Sequence, residues 1–271
     1  MNTSTKNVKK DVVFISGGMS GLGSELGRRY VCQGASLAIF DLQENTQTLS
    51  GLQACITSSD QLIKVYSVDI CDPIAMDSAV NIAVNEIGTP TIALNSAGIL
   101  RTGTFSEISF ETFKQVIDVN LIGSRNFAAS VVPHLQKGGH LALVASIAGI
   151  IGTYTHAAYA ASKFGVVGLA QVLRVELKQQ GIDVSVICPG EIDTPMLKQE
   201  RVDGSEVAKT LNAFSGVLSV EQACKGIFNG LQKRQFMITP GIRAKFTREF
   251  AHKASTVFRK LVDIKLSRAL R

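Results

Sequence analysis

Residues 12–23 read VVFISGGMSGLG, an apolar run that passes directly into a turn with glycines at 17, 18, 21 and 23. The apolar run predicts a buried strand, and a helix is expected to follow over about residues 22–33. A glycine turn lets the backbone approach a pyrophosphate, and the helix N-terminus offers unpaired N–H groups and the positive end of its dipole. The segment therefore predicts a dinucleotide site at the first strand-to-helix junction.

The same alternation of strand and helix continues along the chain. After DVVFIS, we predict further strands in the segments ASLAIFD, LIKVYSVD, TIALNSAG, HLALVAS, DVSVIC and QFMI. Helices are predicted at about 22–33, at 44–55, from Asp72-Pro73 onward, at 109–132 and at 156–179. Several strand segments are apolar throughout, which is typical of a parallel sheet covered on both faces. We therefore predict one α/β domain over residues 1–240, a Rossmann-like doubly wound parallel sheet of about seven strands.

The composition excludes several classes of protein. Of the 271 residues, 45% are hydrophobic and 18% are charged, so a compact domain is expected rather than a disordered chain. The five cysteines are scattered and no Cys/His cluster has metal-ligand spacing, so we expect reduced thiols, no metal site and a cytoplasmic protein. No signal peptide is expected, and the apolar run at 141–152 is too short to span a bilayer as a helix.

Asp41 closes the second predicted strand, 18 residues after Gly23. A carboxylate at this place can accept hydrogen bonds from both hydroxyls of an adenosine ribose, and it repels a 2′-phosphate. Met19 and Ser20 in the glycine turn offer no cation to such a phosphate. The pattern favours NAD over NADP, although a solvated residue at a strand end has the same appearance in a sequence.

Tyr159 and Lys163 lie four residues apart in the predicted helix 156–179, so their side chains share one face. An ammonium beside a phenol should lower the pKa of Tyr159 from its ordinary value of about 10. Such pairs also occur by chance on helix surfaces. Here the pair follows Ser146 by 13 residues, and Ser146 lies at the carboxyl end of the fifth predicted strand, where open α/β sheets bind ligands.

With these motifs, residues 11–240 resemble the short-chain dehydrogenase/reductase family, in its branch of single-domain length. The glycine motif matches Gly17, Gly21 and Gly23, with Ser16 where threonine is usual. Residues 95–98, Asn-Ser-Ala-Gly, match an Asn-Asn-Ala-Gly motif with its second Asn replaced. The family's catalytic set falls on Asn120, Ser146, Tyr159 and Lys163.

The resemblance implies a role for each of these residues. Tyr159 would be the general acid/base, exchanging a proton with a carbonyl or alcohol oxygen that Ser146 also binds. Lys163 would bind the nicotinamide ribose, and Asn120 would hold a water that relays protons. Hydride would pass directly between the nicotinamide and the substrate carbon. The implied cofactor-binding residues are Ser16, Gly17, Ser20, Gly21, Leu22, Gly23, Asp41, Asp69, Ile70, Asn95, Ala97, Gly98, Tyr159, Lys163, Pro189, Gly190, Ile192 and Thr194.

The predicted substrate wall follows the fourth, fifth and sixth strands. Its members are Ile99, Leu100, Ile147, Ile150, Ile151, Tyr154, Met196 and Leu197. Few charged groups are expected near the hydride centre, which favours an apolar or lipid-like secondary alcohol or ketone as the small-molecule substrate. Residues 195–216, with Gly204 and Gly216 as hinges, are predicted to form a mobile lid. His156 is interpreted as a helix-start residue without a role in the chemistry.

Two alternative functions stay open at this point. An NADPH-type 3-oxoacyl or lipid-ketone reductase would have the same catalytic set, although Asp41 disfavours it. A non-catalytic dinucleotide sensor or scaffold would keep the fold without needing the catalytic residues, and all of them are present. The resemblance also implies a homodimer or homotetramer that associates through the predicted helices 109–132 and 156–179.

Residues 241–271, named here the basic tail, contain nine Lys/Arg and two acidic residues, a net charge of +7. The whole chain carries +6, so residues 1–240 carry −1. Apolar residues recur in the basic tail at mostly three- and four-residue steps, which predicts an amphipathic cationic helix, broken near Asp263. It could lie on an anionic membrane surface or pack on protein; nucleic-acid binding is disfavoured, since no recognition module accompanies the charge.

Overall fold

The computed structural model describes residues 11–203 and 216–269, which form a parallel seven-stranded sheet flanked by helices. The strands in chain order are β1 (Val12–Ser16), β2 (Ser36–Asp41), β3 (Ile63–Ser67), β4 (Ile92–Asn95), β5 (His140–Val144), β6 (Asp183–Ile187), β7 (Glu191–Ile192), β8 (Val217–Leu218) and β9 (Met237–Ile238). The sheet has the order β3-β2-β1-β4-β5-β6-β9, while β7 pairs with β8 in a separate ribbon. The predicted α/β doubly wound fold is confirmed.

Helices cover both faces of this sheet. They are α1 (Gly21–Val31), α2 (Thr46–Gln53), α3 (Pro73–Ile87), α4 (Phe110–Ile117), α5 (Gly123–Val131), α6 (Ala157–Lys178), α7 (Pro195–Asp203), α8 (Val220–Gln232), α9 (Ile242–Lys253) and α10 (Ser255–Ala269). The start of α3 is the one that the sequence indicates: the Asp72 carboxylate accepts hydrogen bonds from the N–H groups of Ile74 and Ala75, and Pro73 occupies the first turn.

The strands build two cores because successive side chains point to opposite faces of the sheet. In β1, Phe14 belongs to the core that contains Phe127 of α5, whereas Val13 and Ile15 belong to the core that contains Tyr30 of α1. All five side chains are almost completely buried. Each large apolar side chain buried in this way stabilises the fold by about 1.5–3 kcal/mol, so both helical layers are held firmly on the sheet.

The helix predicted at 109–132 is interrupted in its middle. Between α4 and α5, residues Asp118–Ile122 form a π-helical turn, in which the Gly123 N–H donates to the carbonyl of Asp118. The turn carries Asn120 into the interior, where its amide bonds to the backbone of Ile99. Such turns are frequent at functional sites, and hydrophobic periodicity does not reveal them.

The basic tail also differs from its prediction. The helix breaks at Ala254, between α9 and α10, because the backbone of this residue leaves the helical region at φ −126° and ψ 47°. Asp263 lies within α10 instead. The break allows Phe250 and Phe258, on either side of it, to pack edge to face with ring centroids 5.9 Å apart. In residues 11–203 and 216–269, no helix combines the length and the apolar character needed to cross a membrane.

Candidate active site

A cavity of about 610 Å³ lies at the carboxyl ends of β1, β4, β5 and β6. The strand order reverses between β1 and β4, since the chain runs outward to β2 and β3 and then returns to the other side of β1. At such a point the connections leave in opposite directions and open a crevice that binds ligands. The glycine turn lies on one side of this cavity, and the start of α6 lies on the other.

At two of its positions, the glycine turn is packed too closely for any residue other than glycine. A Cβ on Gly17 would lie 2.6 Å from the backbone nitrogen of Ala97, and Gly17 has a φ of +66°. A Cβ on Gly23 would lie 2.1 Å from the carbonyl oxygen of Gly17. The turn therefore presents bare backbone to the cavity at the start of α1, which is the cradle that a pyrophosphate requires.

Asp41 lines the cavity at the end of β2, close to this turn. Its Oδ2 accepts a hydrogen bond of 3.0 Å from the Met19 N–H. A carboxylate has about four acceptor positions, so the group can also accept from the hydroxyls of a ribose. The structure thus fits a dinucleotide with an unmodified adenosine ribose.

Ser146, Tyr159 and Lys163 all reach the opposite side of the cavity. Ser146 lies two residues beyond β5, while Tyr159 and Lys163 project from the first turns of α6. The Lys163 Nζ lies 5.6 Å from the centre of the Tyr159 ring and donates a 3.0 Å hydrogen bond to the carbonyl of Val144. The side chains that the sequence places on one helix face therefore do meet, beside the hydroxyl of Ser146.

Burial controls the protonation of this group. It raises the pKa of Tyr159 to about 12, against the opposing effect of a hydrogen bond with Ser146 and with a further contribution from the negative charge of Glu200. It also lowers the pKa of Lys163 to about 8. The prediction that Lys163 lowers the pKa of Tyr159 is wrong for this cavity, because loss of water disfavours both charged forms. Tyr159 therefore keeps its proton at neutral pH.

Asn120 supports the site from behind, since its side chain is fully buried and does not line the cavity. Its Oδ1 accepts from the Ile99 N–H at 2.8 Å, and its Nδ2 donates to the Ile99 carbonyl at 2.9 Å and to the Ser162 hydroxyl at 3.1 Å. The amide thus joins the loop after β4 to α6. Asn120 acts as a positioning group in this arrangement. Its predicted role in holding a water that relays protons stays a prediction.

Three of the predicted cofactor residues do not line the cavity. Ser16 and Asn95 are buried and hydrogen-bonded to each other, and Asn95 also donates to the Ser124 hydroxyl at 2.6 Å. Gly23 is enclosed by the turn itself. These three residues shape the wall from behind. The others all line the cavity: Gly17, Ser20, Gly21, Leu22, Asp41, Asp69, Ile70, Ala97, Gly98, Tyr159, Lys163, Pro189, Gly190, Ile192 and Thr194.

Seven of the eight residues predicted for the substrate wall line the cavity. The residues that line the cavity are Ile99, Leu100, Ile147, Ile151, Tyr154, Met196 and Leu197. Ile150 packs against the core instead. The basic tail also lines the cavity, through Thr247, Phe258 and Val262, and no pattern in the sequence assigns these residues to it.

The cavity wall contains a charged pair that the sequence did not predict, and His156 is one of its members. His156 lines the cavity, and its Nδ1 lies 2.7 Å from the carbonyl of Tyr154. Its Nε2 lies 3.0 Å from a carboxylate oxygen of Glu200 on α7. Burial lowers the pKa of His156, but the hydrogen bonds to Glu200 and to the Tyr154 carbonyl outweigh it and raise the pKa above its usual value. His156 thus ties the predicted lid to the start of α6.

The rest of the predicted lid is described in part. Its first helix, α7, places Met196 and Leu197 in the cavity wall. Gly216 has a φ of +67°, and Gly204 lies outside the described residues. Among the residues that the structure describes, no three His, Cys, Asp or Glu side chains come together as a metal site requires.

Comparison with known proteins gives consistent matches. The profile of the family described as short chain dehydrogenase matches residues 11–204. A 3-dehydrosphinganine reductase of Arabidopsis thaliana is 34% identical over 84% of this chain and 69% of its own length. One of Danio rerio is 29% identical over 79% of this chain and 66% of its own, so the chain spans about two thirds of the length of both.

The solved structures agree with the fold. A short chain dehydrogenase/reductase from Burkholderia phymatum, in complex with NAD, superposes with a TM-score of 0.79. It is 21% identical, and the match covers 91% of this chain and 94% of that protein. At this identity the likeness concerns the fold alone.

Proposed function

Because the chain belongs to the short-chain dehydrogenase/reductase family and is an oxidoreductase, we propose that it transfers hydride between NAD(H) and a secondary alcohol or ketone of apolar, lipid-like character. The observation that carries the proposal is the meeting of Ser146, Tyr159 and Lys163 in one cavity with the glycine turn. The bound nicotinamide would supply or accept the hydride, and the protein would supply the proton.

The side chains fit the reduction of a ketone. The hydroxyls of Ser146 and Tyr159 can both donate hydrogen bonds to a carbonyl oxygen, and Tyr159 holds the proton that this oxygen needs. Lys163, fixed by the Val144 carbonyl, lies where it can bind the ribose next to the reacting ring. Asn120 holds the loop that contains Ile99 in place against α6.

Two features support NAD as the cofactor. Asp41 offers a carboxylate at the rim where the ribose hydroxyls would lie, and a 2′-phosphate would place a second negative charge against it. A protein of the same fold, from Burkholderia phymatum, was solved in complex with NAD, so this fold can hold the cofactor. We therefore propose NAD(H) as the cofactor, because Asp41 disfavours NADP(H).

The substrate class rests on the wall and on the relatives. Ile99, Ile147, Met196 and Leu197 give the cavity an apolar wall, and an apolar chain gains about 0.8 kcal/mol for each CH₂ removed from water. Two relatives are 3-dehydrosphinganine reductases, which reduce a ketone on a lipid. We therefore place a lipid ketone, 3-dehydrosphinganine among them, first in a substrate screen.

We also propose two contacts of the whole enzyme. Phe110 on α4 and Phe164 and Val175 on α6 are exposed by 74%, 47% and 67%, which supports a homodimer or homotetramer through these helices. The basic tail exposes Phe246 by 68% among its cations, which supports contact with an anionic membrane surface.

The variant Tyr159→Phe tests the central claim. We expect kcat for ketone reduction to fall by about 10²- to 10⁴-fold, the usual contribution of a general acid. NADH affinity should be little changed, since only a hydroxyl is removed. The matched control is Tyr66→Phe, because the Tyr66 hydroxyl bonds to Glu86 on the surface, outside the cavity. Activity of Tyr159→Phe within a few-fold of the control would reject the proposal.

A further inference from the structure

Three phenylalanine rings of the basic tail connect the protein surface with the cavity of Tyr159. The ring centroids of Phe246 and Phe250 are 6.0 Å apart, and those of Phe250 and Phe258 are 5.9 Å apart. Phe246 is 68% exposed, whereas Phe258 lines the cavity. A row of three neighbouring rings therefore extends from the outside of the protein to the cavity.

The inner face of the basic tail is fixed to the body of the enzyme. Ala244, Thr247 and Ala251 of α9 are buried, and Thr247 lines the cavity with Phe258 and Val262 of α10. The helix breaks at Ala254, between the buried residues of α9 and the cavity-lining residues of α10. The basic tail is thus part of the cavity wall, and any ligand that fills this side of the cavity touches it.

The outer face of the basic tail combines apolar side chains with cations. On α9, Ile242 and Phe246 lie one turn apart and are exposed by 90% and 68%. On α10, the exposed apolar residues lie at three- and four-residue steps: Val257, Leu261 and Ile264. Exposed cations surround both stripes, and they are Arg243, Lys245, Lys253, Arg259 and Lys260.

This combination identifies the chemistry of the partner. Apolar stripes bordered by Lys and Arg fit the plane between the headgroups and acyl chains of a bilayer, and each cation near an anionic surface contributes about 1 kcal/mol. The net charge of +7 lies in the basic tail, while residues 1–240 carry −1. Attraction to an anionic membrane would therefore orient the enzyme with the basic tail toward the lipid.

We infer that the basic tail is the entrance through which the aliphatic chain of a membrane-resident substrate reaches the cavity. The chain would leave an anionic bilayer along Phe246, Phe250 and Phe258, and its ketone would arrive beside Tyr159. This inference rests on the proposed function for the ketone. The entrance itself stands on the aromatic path and on the charge of the basic tail.

The variant Phe246→Ser tests the entrance at its outer end, with Phe246→Leu as the conservative variant. The matched control is Phe105→Ser, since Phe105 is 77% exposed and lies outside the basic tail and the cavity. Binding is measured by sedimentation with vesicles of phosphatidylcholine and phosphatidylserine, against phosphatidylcholine alone. Turnover of NADH is measured with a long-chain ketone held in the vesicles and with a short ketone dissolved in water.

We expect Phe246→Ser to weaken vesicle binding and to raise the KM for the vesicle-held ketone by about tenfold, while kcat/KM for the dissolved ketone changes less than about twofold. Phe246→Leu and Phe105→Ser should behave as the unaltered protein. Equal effects of Phe246→Ser on both ketones, or no binding of the unaltered protein to anionic vesicles, would overturn the entrance.

A readout without turnover separates this inference from the proposed function. Transfer of a fluorescent long-chain ketone from vesicles to the enzyme can be followed by the change in its emission. Transfer that Phe246→Ser slows, in a protein that reduces no ketone, would support the entrance and reject the reductase. Reduction of dissolved ketones without such transfer would support the reductase and reject the entrance.

Discussion

The proposed role of Asp41 in selecting NAD predicts that replacing it by Asn weakens the preference for NAD over NADP. The substitution removes the negative charge at the rim of the cavity but keeps an oxygen that can accept from the Met19 N–H, now 3.0 Å from Oδ2. Two unit charges about 4 Å apart repel by about 1 kcal/mol in water and by about 4 kcal/mol at an effective dielectric constant of about 20. Asp41 is partly exposed, so removal of its charge should favour a 2′-phosphate by about 1–3 kcal/mol.

This energy corresponds to a gain of between about fivefold and about 150-fold for NADP relative to NAD. The assay is the ratio of kcat/KM for NADH and NADPH with one ketone, together with the Kd of each cofactor by fluorescence titration. The matched control is Asp69→Asn, which removes a charge from the same cavity at the place expected for the adenine. A ratio that stays unchanged in Asp41→Asn, or that changes equally in the control, would refute the assignment of Asp41 to the ribose.

Three further predictions concern the framework of the site. Asn120→Ala removes three hydrogen bonds and should lower the free energy of unfolding by about 2–4 kcal/mol. The control Asn81→Ala, at an exposed position, should change it little, and urea titration measures the free energy of unfolding of both variants. Gly17→Ala should abolish NADH binding in a fluorescence titration, because its Cβ meets backbone at 2.6 Å, whereas Gly34→Ala, also at positive φ but with open space around it, should bind normally. The pKa of His156 is raised in the folded state. Its protonated form therefore stabilises the protein fully below its unfolded pKa of about 6.5, and progressively less as pH rises through the folded pKa. The difference in the free energy of unfolding between the unaltered protein and His156→Gln should shrink from pH 6 to pH 8, and a difference that grows would contradict the ion pair.

The sheet could be predicted because its causes are local. Short apolar runs such as VVFIS and HLALV are typical of strands in the middle of a parallel sheet, and each is followed by a helical pattern. The glycine turn was also predictable, since its spacing and its place after the first strand are both visible in the sequence. The same holds for the catalytic set, because the sequence also displays the spacing of Ser146, Tyr159 and Lys163 and their place after the fifth strand.

The remaining features depend on contacts between distant segments. Nothing in the periodicity of residues 109–132 signals the π-helical turn that carries Asn120 inward to Ile99. His156 meets Glu200 across 44 positions of sequence, so only the fold shows that it belongs to the cavity. In the basic tail, Phe258 and Val262 follow the same apolar pattern as their exposed neighbours, and only the structure shows which of them turn toward the cavity.

The protonation of Tyr159 also follows from burial more than from neighbouring charge. At pH 7, ionising a phenol with a pKa of about 12 costs on the order of 7 kcal/mol, at about 1.4 kcal/mol for each pH unit. Lys163, with its pKa lowered to about 8, is still mostly protonated at pH 7, yet its ammonium does not bring the pKa of Tyr159 below the ordinary value. A protonated Tyr159 is ready to donate to a carbonyl oxygen, whereas alcohol oxidation needs the phenolate first. A protonated Tyr159 therefore fits the proposed reduction of a ketone, whereas the reverse reaction requires Tyr159 to lose its proton first.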